Sequence, residues 1–348
     1  MKKYTAKYYL IPATICLAGI VAIGYNYFFS AFASQDNKQY VYIDEDDTAD
    51  SVYAKLEPLA SHSTLTGFRT LARHYDYDGH IRSGRYAIEP GMNTVSVFRM
   101  MRNGRQEPVM LTIPECRTME QMAARLSKKL MLDSTSIAQA LTDEDFCEQL
   151  GYDTCTIASI FVPNTYEVYW NTSMDKLMQR MMSEHDKFWT EERKQKAREL
   201  GLSTDEVCTL ASIIDEETAN NGEKPMIAGM YLNRLNLRNG EYPNGMPLQA
   251  DPTIKFAWQK FELKRIYNKL LSIDSPYNTY RRAGLPPGPI RIPTVAGIDA
   301  VLNYAHHNYL YMCAKEDFSG THNFAATYSE HLQNAARYSK ALNSRGIQ

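Results

Sequence analysis

The sequence predicts an α+β protein: one N-terminal transmembrane helix, then a small mixed module, then a larger and largely helical domain. Three observations carry this. Residues 8–33 hold no charged side chain, and that run exceeds the ~20 residues a helix needs to cross a bilayer. Residues 40–113 alternate strand-like and helical runs over a length able to fold alone. From residue 114 onward the pattern is mainly helical. The predicted organisation is a tail at 1–7, an anchor at 8–33, a linker at 34–39, a module at 40–113 and a main domain at 114–348.

Lys2, Lys3 and Lys7 precede the apolar run, and Asp36, Asp44, Glu45, Asp46, Asp47 and Asp50 follow it. Basic before and acidic after places the N-terminus in the cytoplasm and the body outside. Ala31-Phe32-Ala33 mimics a signal-peptide cleavage site, but the run is longer than the ~7–15 residues of a signal core, which favours a retained anchor. Both readings export the body. A net charge of -2 with 22% charged residues shows none of the basic face that nucleic acid requires. The six cysteines and the His306-His307 pair lack metal-site spacing, and no HExxH occurs, so no cofactor or metal is expected. Cys147 and Cys155 are near enough in sequence to pair, but the reading is free, mostly buried thiols. Twenty-four tyrosines suit stacking on sugars, and equally suit an ordinary wet surface.

In order, the module reads as a strand at Tyr40–Ile43, a helix at Thr48–Leu59, a helical stretch at Leu65–His74 and a strand at Ser83–Ile88. A helix at Asn93–Asn103 and a strand at Pro108–Ile113 complete it. Helices follow at Thr118–Leu130, Ser134–Leu141 and Glu144–Leu150, and a charged helical run spans Met174–Leu200. Between them the loop at 161–173, with Tyr166, Tyr169 and Trp170, reads as the wall of a sugar groove or as core packing beside a turn.

The chain is organised around residues 203–218, STDEVCTLASIIDEET. Ser203 with Glu206 three residues on is a capping box, so a helix starts there. Leu210, Ile213, Ile214 and Glu217 fall on one side of it, while Asp215 and Glu216 point toward solvent or a rim. A carboxyl held against aliphatic groups keeps its proton to higher pH and can act as a general acid. The competing reading is a last helical turn rolling into water with Glu217 solvated.

A helix opened by Lys224-Pro225 runs to Leu235 and carries Asn233 near its end. The turn-rich stretch at 239–253 ends in Asp251, which reads as an N-cap before Pro252, and contains Gln249, an amide with no local structural role. Residues 275–293 hold five prolines and read as stiff extended backbone, either lining a cleft or connecting elements. A helix at Thr294–Tyr304, a strand at Tyr309–Ala314 and a helix at Thr327–Leu342 close the chain.

ASIIDEET, AGMYLNRL, GMPLQADPT, SPYNTY, GLPPGPI, YLYMCA and a late HNF, in this order, resemble the endolytic murein transglycosylase (YceG-like) family. The resemblance covers nearly the whole chain, and it implies a LysM-like module ahead of a catalytic domain. It implies Glu217 as the catalytic acid, with Asn233, Gln249, Asp251, Tyr277, Asn278 and Tyr280 lining the substrate cleft. The family commonly has glutamate where this chain has Asp215. The implied substrate is a peptidoglycan glycan strand cut at the MurNAc to GlcNAc β-1,4 bond, and the implied partners are peptidoglycan synthases at the inner membrane. A hydrolytic muramidase using Asp251, or a non-catalytic glycan-binding scaffold, remain open.

Overall fold

The computed structural model describes residues 2–33, 35–263 and 265–345. It is a mixed α+β structure of mainly helical content, in two compact units.

The first unit comprises the chain up to Leu111 with Lys129–Leu132 and Glu167–Ser173. Its elements are α1 (Lys2–Phe28), β1 (Gln39–Ile43), α2 (Ala49–Leu56), α3 (His62–His74), β2 (Gly84–Ile88), α4 (Thr94–Arg102) and the start of β3 (Val109–Thr112). Thr48, Ser61 and Asn93 cap α2, α3 and α4 by accepting from the third backbone N–H beyond each. The cap at Ser61 starts α3 three residues before the predicted Leu65. β1 and β2 pair antiparallel, with Val41 opposite Tyr86, and both side chains enter a core with Phe32, Phe68 and Phe98. Phe68 meets Tyr77 and Phe98 edge-on, with ring centroids 5.8 and 5.6 Å away.

Within α1, Tyr9–Phe28 has a mean hydropathy of 1.6 and none of it is buried, so the helix is long and apolar enough to cross a bilayer. Its C-terminal end packs tightly on α3. A Cβ at Gly67 would lie 2.1 Å from the Tyr27 carbonyl oxygen, so only glycine fits there. Phe32, beyond the helix, is fully buried in the module core.

The second unit contains Thr112–Lys128, Asp133–Tyr166 and the chain from Met174. It holds α5 (Met119–Leu126), α6 (Ser134–Thr142), α7 (Glu144–Gln149), the first half of β4 (Thr165–Val168), α8 (Met174–Phe188) and α9 (Glu191–Glu199). The last elements are α10 (Thr204–Glu217), α11 (Lys224–Asn236), α12 (Asp251–Ala257), α13 (Val295–Leu302), β5 (Tyr311–Ala314), β6 (His322–Ala325) and α14 (Tyr328–Ser344). The charged run from Met174 is two helices. Buried Trp189 turns the chain at the break, and Thr190 caps α9. In the aromatic loop at 161–173, Tyr166 is buried with its hydroxyl on the Val162 carbonyl, and Trp170 meets Tyr42 edge-on. Both side chains follow the packing reading. All six cysteines are free.

α10 is the centre of the second unit. Every residue from Val207 to Asp215 is buried, because α9, α11, α12 and α13 all pack against it. A helix surrounded in this way has no solvent face, whatever its sequence periodicity.

Candidate active site

Both ends of α10 are fixed by local chemistry. At its start Ser203 Oγ accepts from Glu206 N at 3.1 Å, while the Glu206 carboxylate accepts from Ser203 N at 2.8 Å. At its end Thr218 leaves the helix in extended conformation, which makes Glu217 the last helical residue.

Three consecutive carboxylates stand at that end, and their partners separate them. Asp215 pairs with Lys224 at 2.7 Å, with both side chains almost wholly inaccessible, and accepts from Thr294 N and Oγ1 at 2.6 and 2.9 Å. α13 comes so close here that a Cβ on Gly297 would lie 2.6 Å from the Asp215 carboxylate. Glu216 takes a fork from Arg117, Nε and Nη2 each at 2.9 Å, and a third bond from Arg291 at 3.1 Å. The predicted outward placement of Asp215 and Glu216 is therefore corrected: both are drawn into the domain, since α10 is enclosed on every side.

Glu217 alone has no salt bridge among the described residues. Its Oε1 accepts from the Tyr231 hydroxyl on α11 at 2.6 Å. The carboxyl is half-buried and opens on a cavity of about 230 Å³. Tyr231, Arg234, Gln249, Asp251, Tyr280 and His322 supply its polar lining, and Met230, Leu248 and Met312 its apolar lining. Burial raises the Glu217 carboxyl above its ordinary value of 4.5, the Tyr231 hydrogen bond opposes the rise, and the negative charge of Asp251 adds to it. The negative end of the α10 dipole acts in the same direction as burial.

Arg234 is buried behind this wall. Its guanidinium donates to the Leu310 and Leu248 carbonyls at 2.5 and 2.6 Å, which ties α11 to the strand and loop that close the cavity. β5 and β6 pair antiparallel with Ala314 opposite His322, and both residues face the cavity.

The predicted site residues divide into two groups. Glu217, Gln249, Asp251 and Tyr280 meet at the cavity. Gln249 is exposed and held at φ +50°, a left-handed conformation costing a non-glycine residue about 1 kcal/mol or more. Its N–H donates to the Thr279 carbonyl at 3.0 Å, and the buried Thr279 hydroxyl also accepts from Ala250 N at 3.1 Å. The predicted N-cap role of Asp251 is corrected. Ala250 occupies the cap position without a side-chain bond, and the Asp251 carboxylate instead accepts from the Tyr280 hydroxyl.

Asn233, Tyr277 and Asn278 lie elsewhere. Asn233 Nδ2 donates to the His307 and Tyr309 carbonyls at 2.8 and 3.0 Å, pinning the loop after α13. Asn278 is buried, with Nδ2 on the Leu271 and Ile273 carbonyls, and Tyr277 packs on Phe256 at 4.7 Å. Sequence reasoning passed over Tyr231, Arg234 and His322. Tyr231 and Arg234 are three residues apart, hence on one face of α11, and an arginine following a tyrosine inside an apolar helix was the available signal.

Over residues 41–337 the chain matches the YceG-like family. It belongs to that family. This YceG-like chain is 27% identical over 313 residues to the endolytic murein transglycosylase of Bacillus subtilis (strain 168), covering 85% of this chain and 84% of that protein. It is also 27% identical over 374 residues to the endolytic murein transglycosylase of Streptococcus pneumoniae serotype 2, covering 97% of this chain and 65% of that longer protein. Among solved structures, a yceG-like protein from Listeria monocytogenes superposes with a TM-score of 0.54 at 25% identity, over 86% of this chain and 99% of that one.

Proposed function

We propose that this chain is a membrane-anchored endolytic peptidoglycan lytic transglycosylase with Glu217 as its single acid and base. The observation that carries the reading is the isolation of Glu217. Of three adjacent carboxyls, Asp215 and Glu216 are each paired with a cation, and only Glu217 opens on a cavity without one, in a setting that favours its protonated form. The relatives are endolytic murein transglycosylases, which supports murein as the substrate class.

In the proposed reaction, protonated Glu217 donates to the glycosidic oxygen as the bond from muramyl C1 breaks. The resulting carboxylate then takes the proton of the muramyl 6-hydroxyl, whose oxygen bonds to C1. Glu217 ends protonated, the new end is a 1,6-anhydro sugar, and no water is consumed. Met230, Leu248 and Met312 keep that corner poor in water, while the polar side chains hold the sugar in reactive orientation. α1 would anchor the protein with its N-terminus in the cytoplasm, the LysM-like module at 40–113 would hold or space the strand, and synthases of nascent glycan would be its neighbours. Co-purification from membranes tests that association.

A hydrolase uses two carboxylates, and Asp251 shares the cavity with Glu217. Mass spectrometry of the fragments released from purified sacculi decides between the readings. Anhydro-ended internal fragments are expected. Ends one water heavier would instead assign a muramidase, and retention of strands without cleavage would assign a scaffold.

Tyr231 gives a second check. Its hydrogen bond stabilises the Glu217 carboxylate, so Tyr231→Phe raises the pH at which the acid loses its proton. The alkaline limb of kcat/KM is expected to move to higher pH; a move to lower pH would contradict the assignment.

A further inference from the structure

Behind the cavity a buried carboxylate holds a histidine by two bonds. Glu223, in the turn before α11, accepts from the His322 backbone N–H at 2.6 Å through Oε1 and from the His322 ring Nδ1 at 3.1 Å through Oε2. The Glu223 side chain is 8% exposed and the His322 side chain 16%. A carboxylate only accepts hydrogen bonds, so the ring carries its proton on Nδ1 when neutral, and Nε2 is an acceptor. Nε2 lies on the side of the ring away from Glu223, and His322, but not Glu223, lines the cavity of Glu217.

The cavity's other polar groups are largely engaged. The Tyr231 hydroxyl donates to Glu217, the Tyr280 hydroxyl to Asp251, and the Arg234 guanidinium to backbone carbonyls. His322 Nε2 has no protein partner among the described residues, although the ring beneath it is fixed. A rigid ring with one uncommitted acceptor beside a catalytic acid suits a ligand donor group.

The geometry points to His322 as a substrate-contacting residue, its Nε2 accepting a hydrogen bond from a hydroxyl of the hexosamine seated against Glu217, with Glu223 as the positioning residue that sets its tautomer. This rests on the glycan-cleaving reading above. A substrate contact at Nε2 and a merely structural role rank two variants in opposite orders. His322→Gln can place an amide near the Nε2 position, while His322→Asn can keep the bond to Glu223 and loses the one in the cavity. If the histidine only tied β6 to α11, asparagine would serve and glutamine would fail.

The test is strand cleavage by the detergent-solubilised full chain, read as release of new glycan ends from sacculi, alongside thermal melting of each variant. His322→Asn is expected to melt close to wild type and to lose about tenfold or more in kcat/KM, the size of one hydrogen bond lost in the transition state. His322→Gln should retain the higher rate. Glu223→Gln should be intermediate, and the double variant Glu223→Gln with His322→Asn no slower than His322→Asn alone. Wild-type rate in His322→Asn, or a higher rate in asparagine than in glutamine, would overturn the inference. A wild-type chain that cleaves nothing would instead overturn the functional reading itself.

Discussion

Glu217→Gln is expected to lower the cleavage rate by about 10²- to 10⁴-fold, the range for removing a general acid–base group, while making the protein more stable at neutral pH. Both effects have one cause. Burial holds the folded-state pKa of Glu217 above its ordinary 4.5, so between those two values the folded state binds more protons than the unfolded state. Stability therefore falls as pH rises through that window and stays lowered above it. Glutamine is neutral throughout and carries no such penalty, and its amide can still meet the Tyr231 hydroxyl. The variant should melt above wild type at pH 7, and the difference should close below about pH 4.5. Equal activity, or a variant less stable at pH 7, would show that Glu217 is not a buried acid that carries the reaction.

The second large effect belongs to the neighbouring ion pair. Lys224→Ala leaves Asp215 as an unpaired charge in the interior beside α13, and breaking a buried pair in this way costs about 3–5 kcal/mol. For a unit of this size that corresponds to a melting point lower by roughly 10 °C. Replacing both partners by apolar groups, Asp215→Leu with Lys224→Met, removes the unpaired charge and should recover much of the loss. The remainder reflects the Thr294 N–H and hydroxyl, which bond Asp215 at 2.6 and 2.9 Å. A single Lys224→Ala variant as stable as wild type would mean that the pair contributes nothing to holding α10 against α11. Thermal melting of the full chain in detergent reads both results.

Local signals in the sequence were sufficient for α10. The capping box at Ser203 and Glu206 formed as read, and the spacing from Leu210 to Glu217 singled out the carboxyl that opens on the cavity. Helical periodicity gives the direction of a side chain but not what packs against it. Asp215 and Glu216 point away from Glu217 as predicted, yet meet Lys224, Arg117 and Arg291 instead of water. Asp251 shows the same limit. An aspartate before a proline has the local chemistry of a cap, and only the fold brings Tyr280, 29 residues on, to its carboxylate. Nothing local marks Tyr231, because its hydroxyl partner Glu217 lies on another helix. The family resemblance places Asn233 and Asn278 in the cleft; in the fold their amides bond the His307 and Leu271 carbonyls.

Burial makes Glu217 hold its proton to higher pH than an ordinary carboxyl. A carbon-13 NMR titration of the full chain, labelled at glutamate side-chain carboxyls and assigned by the signal missing from Glu217→Gln, measures this directly. The account predicts a midpoint above 4.5 that rises further in Tyr231→Phe. A midpoint at or below 4.5, unchanged by loss of the tyrosine hydroxyl, would contradict it.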